Sequence, residues 1–230
     1  MYKRQATTQP DFTTGAASYF CTLGIFDTIA AYCRQFHNCI LRTLTLSADM
    51  SGGDGRLRAS GEFISGAAAN TTATFGGVWS HPVQSFFDFN APTKFSVGSD
   101  AVIYSWDLTI NNNAIRIGHT TTGTAETYKL GPYEVTGNIS VKYDVAMQGI
   151  IAAAIAGTAT SIQLACGTDG QTGNFDILMT TCQLLDVAKD YGSPEGQKIN
   201  IPFIAMGVSG DATAAITVTM SDGSDKAWPT

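Results

Sequence analysis

Several segments of this chain alternate apolar and polar residues one for one. That period fits a half-buried β-strand and excludes an amphipathic helix. In Thr43–Asp49, Leu44, Leu46 and Ala48 share one face, and Thr43, Thr45, Ser47 and Asp49 the other. Ser51-Gly52-Gly53-Asp54-Gly55 follows, rich in residues that tolerate positive φ. Arg56–Gly66 then sets Leu57, Ala59, Gly61 and Phe63 against Arg58, Ser60 and Glu62. Two such runs around such a stretch make a β-hairpin.

The arrangement recurs. Ser105–Asn111 places Trp106, Leu108 and Ile110 on one face. After a Gly/Thr-rich stretch, Glu134–Asp144 alternates Val135, Ile139, Val141 and Tyr143 with Glu134, Thr136, Asn138, Ser140, Lys142 and Asp144. Both pairs have a glycine, Gly61 or Gly137, near the middle of the return strand, so the chain reads as a weak internal duplication. Further strands are expected at Ser161–Cys166, Phe175–Leu185, Lys198–Val208 and Ala214–Met220. Pro202 predicts an edge or bulged strand, because it has no N–H for a ladder. Helix is expected at Asp27–Arg34, with Asp27 as N-cap, and at Val145–Ala156, which lacks alternation and is closed by Gly157.

The fold class is therefore mainly β, an antiparallel β-sandwich or half-barrel with one or two short helices. Pro92–Asp100 is the best seam, dividing a first β half, 6–97, from a second, 98–230, or joining them in one continuous domain. Residues 1–5 (Met-Tyr-Lys-Arg-Gln) have no hydrophobic core of a signal peptide. They resemble a translated sequencing-library adapter and are read as a non-native leader that replaces a missing native N-terminus.

Charged residues make up 14% of the chain, against the roughly 25% usual in soluble proteins. Its polar faces are instead Thr, Ser and Asn, which suits side-by-side packing of subunits. The net charge of −6, with no basic run beyond Lys3-Arg4, argues against a phosphate-gripping surface. The longest apolar stretch, Ile150–Ala156, falls far short of the ~20 residues that span a bilayer.

No reactive constellation emerges, and no catalytic, cofactor-binding or metal residue is assigned. His37, His81 and His119 lie in unrelated contexts, the latter two in expected turns or loops, and no nucleophile elbow, zinc-protease helix or phosphate loop is present. Cys33, His37 and Cys39 offer a possible metal set, but without paired spacing or a fourth ligand they read better as small buried hydrophobes. Cys21, Cys166 and Cys182 complete an odd set of five, which fits reduced thiols. Gly167–Asp176 could offer Asp169, Asn174 and Asp176 to Ca²⁺, or form a turn between strands; its spacing is not that of an EF-hand. Asn70 and Asn138 head glycosylation patterns that matter only in a eukaryotic secretory route. Trp79, Trp106 and Trp228 are either carbohydrate-binding aromatics or core and interface anchors.

Three blocks, in this order and spacing, resemble the tail tube proteins of long-tailed phages. They are Asn38–Asp49 followed by Leu57–Phe63, Val102–Asn112 followed by Tyr133–Asp144, and Ile199–Met206 with Ala215–Met220. The resemblance implies a non-enzymatic structural subunit that forms rings, hexameric in that family, stacked into a tube. It implies a virion component made in the bacterial host cytoplasm. Its partners would be itself, a tape-measure protein, and tail terminator and distal tail proteins. DNA would pass an acidic lumen without specific binding, and no cofactor or membrane is involved. Asp49, Glu62, Glu134 and Asp144 are the lumen-facing candidates. The competing reading is another virion assembly protein: a minor tail, capsid-decorating or adhesin-like β-domain.

Overall fold

The computed structural model describes residues 2–5, 21–27, 32–71, 87–90, 92–119, 125–129, 131–167, 174–190, 198–206 and 215–221. Trp79, His81, Asp169 and Trp228 lie outside the described residues. The strands, in chain order, begin with β1 (Tyr2–Gln5), β2 (Cys21–Asp27), β3 (Tyr32–Asp49), β4 (Arg58–Ile64) and β5 (Ala67–Thr71). Next come β6 (Pro92–Val97), β7 (Ser99–Asp100), β8 (Ile103–Asn111), β9 (Ile115–His119), β10 (Ala125–Lys129) and β11 (Glu134–Lys142). After helix α1 (Val145–Ile155) come β12 (Thr160–Cys166), β13 (Asn174–Leu184), β14 (Ala188–Asp190), β15 (Lys198–Ala205) and β16 (Thr217–Ser221).

The fold is mainly β and antiparallel, as the alternation requires. One sheet runs β1-β2-β3-β8-β11-β15-β13-β12-β6-β7, with β4 and β5 also on β3, β14 on β15 and β16 on β13. The two hairpins read from the sequence, β3–β4 and β8–β11, lie side by side across the β3–β8 ladder, where Leu46 faces Leu108. Their alternation becomes burial. Leu46, Ala48, Trp106, Leu108, Val135, Ile139 and Val141 enter the core, and their polar neighbours face outward. Each large apolar side chain so buried contributes roughly 1.5–3 kcal/mol.

The sheet curls so that β8 and β11 face β6, β12 and β13 across one core. Phe89 sits in the middle, with ring centroids 5.1 Å from Trp106, 5.8 Å from Phe95 and 6.2 Å from Phe175. Met147 and Ile150 of α1 fill the same core. The helix begins at Asp144, whose carboxylate accepts the Met147 N–H at 3.2 Å. It ends at Gly157 (φ 67°), with Gly157 N–H donating to Ala154 O and Thr158 N–H to Ala153 O. That pair of bonds is a Schellman cap, which requires the positive φ.

Several expectations need correction. The described residues of Asp27–Arg34 are strand rather than helix: Asp27 ends β2 and faces Tyr32 at the start of β3. Tyr32, Cys33 and Phe36 suit a pleated surface, and β3 is paired on both flanks there, by β2 and by β5. That pairing outweighs two turns of local helix propensity. Pro202 lies on neither an edge nor a bulge, because β15 is paired on both flanks. One partner changes from β14 to β13 beside Pro202, whose carbonyl accepts the Leu185 N–H at 2.8 Å. Its missing donor therefore faces a gap in the ladder. His119 is the last residue of β9 rather than a loop residue. The strand from Glu134 stops at Lys142, so Asp144 leaves the sheet for the helix.

Candidate functional site

Outward side chains of β4, β3, β8 and β11 fall in register into rows across four strands. One row reads Glu62, Thr43, Asn111, Glu134. The next reads Ser60, Thr45, Thr109, Thr136, and the third Arg58, Ser47, Asp107, Asn138. Period-two strands with one buried face must present their other residues together in this way. The outcome is a broad polar face in which eight of the twelve positions are hydroxyl or amide groups and the middle row carries no charge. Thr45 and Thr109 hydroxyls lie 3.3 Å apart across the β3–β8 ladder.

The four lumen candidates are dispersed differently. Glu62 and Glu134 close the two ends of one row. Glu62 is 3.2 Å from Arg42, an exposed pair of small energetic weight. Asp49 stands opposite Ser105 but turns back into its own loop. Its carboxylate accepts the Gly52 and Ser51 N–H groups, each at 3.0 Å, and the Ser51 hydroxyl at 3.2 Å. The Gly52 and Ser51 donors hold its carboxyl below the ordinary range. Asp144 caps α1 and stands apart from the rows.

Asp107 was not among the candidates, although its place between Trp106 and Leu108 marks it as outward. It occupies the middle of the face, and desolvation by the surrounding sheet raises its carboxyl pKa. With Ser47, Asp49, Gly52, Asp54 and Arg58 it lines an open notch of about 430 Å³. Asp54 is taken up by Arg58 at 3.5 Å and Arg56 at 3.8 Å. The notch thus brings carboxylates and a guanidinium together with the Ser47 and Ser105 hydroxyls.

Elsewhere the reactive residue types serve packing. Cys39, Cys166 and Cys182 are buried and unbridged. The Cys39 thiol donates to Phe36 O at 3.2 Å. Burial pushes the Cys166 thiol up to about 11 and that of Cys182 to about 12. Of the residues weighed for Ca²⁺, Asn174 is buried, and Asp176 accepts the Gln163 side-chain amide at 2.9 Å. Among the described residues no cluster of three or more His, Cys, Asp or Glu could hold a metal ion, and no helix is long and apolar enough to cross a membrane.

No curated protein matches this sequence. The family model for phage tail tube protein matches residues 3–221, almost the whole chain and all three of the blocks that carry the resemblance. The chain belongs to the phage tail tube protein family, structural subunits of the virion tail that assemble with copies of themselves into a tube.

Proposed function

We propose that this subunit builds a DNA-conducting tube whose channel is lined by the β4–β3–β8–β11 face. Six copies form a ring, rings stack, and the tape-measure protein occupies the channel before the genome passes. Terminator and distal tail proteins close the two ends, and assembly takes place in the host cytoplasm. The observation that carries this is the four-strand face itself, polar across every row, with three carboxylates (Glu62, Glu134, Asp107) to one guanidinium (Arg58). Hydroxyls and amides keep a wall wetted, and carboxylates repel phosphate where a basic wall would hold it. Asp107, Glu62 and Glu134 supply those carboxylates, with Asp49 at the rim. The subunit's role is mechanical and needs no catalytic group.

Electron microscopy of tubes assembled from the purified chain tests this. Six subunits per ring are expected, with Thr45, Thr109 and Thr136 facing the axis. Tubes with the β6–β12–β13 side inward would overturn the lumen assignment. Isolated trimers would favour a minor tail or decorating role.

A further inference from the structure

The polar face ends abruptly on both flanks. Beyond β11 the outward residues of β15 are polar at Lys198 and Asn200 and then apolar at Pro202 and Ile204, in register with Asn138 and Thr136, and Met206 follows. Leu185, just past the end of β13, stands beside Pro202. Leu185, Ile204 and Met206 are 37–42% exposed, so a polar wall gives way to an uncovered apolar strip within one strand spacing. On the opposite flank, β4 pairs only with β3 among the described residues. The core does not extend beneath it, which leaves Ala59 and Gly61 exposed on what should be its buried side. An unpaired strand edge with small uncovered residues is a ready seat for another chain.

From these two flanks we infer a head-to-tail contact between copies of this chain: the β4 edge of one subunit seats against the Leu185–Ile204–Met206 strip of the next. This rests on the tube reading above and specifies its lateral interface. The two surfaces differ, so the contact is heterologous and propagates from copy to copy, as a ring needs, rather than stopping at a dimer. Their charges match as well. Three guanidiniums stand along that flank, Arg42 on β3, Arg58 on β4 and Arg56 just before it, against the two carboxylates they pair with, Glu62 and Asp54. The exposed charges that border the strip, Glu134 and Asp186, are carboxylates.

Two variants of the full chain test the contact, Ala59→Glu on the first flank and Ile204→Arg on the second. Circular dichroism reports the fold and sedimentation velocity the assembly. Each variant is expected to need at least tenfold more protein than wild type to assemble. An equimolar mixture is expected to stop at dimers, because one intact flank of each variant remains to join them. If Ile204→Arg loses the wild-type spectrum, Met206→Arg, just past the end of β15, takes its place. Either variant assembling at the wild-type concentration, or a mixture that stays monomeric, would overturn this contact alone. A wild-type chain that never assembles would overturn the tube reading and the contact with it.

Discussion

Glycine at 137 is set by what lies on either side of it. A Cβ there would fall 2.4 Å from Asp107 O and 2.6 Å from Cζ of Phe203, with which Gly137 is in register. Gly137→Ala should therefore cost about 1–3 kcal/mol, measured by denaturant unfolding, as overpacking of a tight core does. Gly149 is the contrast: it lies mid-helix, and a Cβ there meets nothing within 4 Å. Gly149→Ala should stabilise by roughly 0.5–1 kcal/mol through helix propensity. The sequence placed a glycine at the centre of the return strand but not the Phe203 ring over it, since that contact joins residues 66 apart. Buried thiols give a second test at this scale. Cys166 and Cys182 have folded pKa values above the ordinary 9.0, at about 11 and about 12. Between those values and 9 the folded chain holds protons that the unfolded chain releases. Their contribution is whole below pH 9 and is lost as pH rises toward 11–12, by up to about 1.4 kcal/mol per unit for each thiol. Thermal unfolding of wild type from pH 8.5 to 10.5 should fall more steeply than that of Cys182→Ala.

At the scale of elements, what was legible is what a period can encode. Alternation in 43–49 and 105–111 determined which side chains point inward, and the structure buries Leu46, Ala48, Trp106 and Leu108 accordingly. What alternation does not encode is partner choice. Nothing in Thr43–Asp49 announces that β3 runs back to Tyr32 and is paired on both flanks over much of its length. The false helix at Asp27–Arg34 has that same origin, because two flanking strands decided a segment whose local preference was ambiguous. Asp144 shows the converse. It fits the alternation of 134–144, yet it belongs to the helix that follows, which was legible from its lack of alternation. Its contact with Met147 N–H makes a definite prediction. Asp144→Ala should destabilise the subunit by about 1 kcal/mol, the usual cost of a lost N-cap, while Asp144→Asn should recover most of that in thermal unfolding. Were Asp144 instead a channel carboxylate, Asn and Ala would act alike on stability and both would change the channel's affinity for cations.

The whole molecule combines a tightly packed core with a broad polar outer face whose charges, Glu62, Glu134, Arg58 and Asp107, lie in the rows on either side of an uncharged one. A sheet with one face in water ordinarily mixes many charges into that face for solubility. Here the row Ser60, Thr45, Thr109, Thr136 carries none. In a closed ring each position is repeated around the channel, so one introduced charge becomes a belt of like charges at one height. Thr136 is exposed and ends that row on β11. Thr136→Arg should leave subunit stability within about 0.5 kcal/mol of wild type, as surface substitutions do. Assembled tubes of the variant should then retain short duplex DNA in low salt and protect it from nuclease, whereas wild-type tubes should not. Retention should fall steeply between 50 and 200 mM salt, since phosphate contacts release counterions. Thr219 is equally exposed but lies on β16, away from the four-strand face. Thr219→Arg adds the same charge there, so any DNA it holds should remain open to nuclease. Protection by the Thr219 variant and not by the Thr136 variant would place the channel on the other side of the sheet.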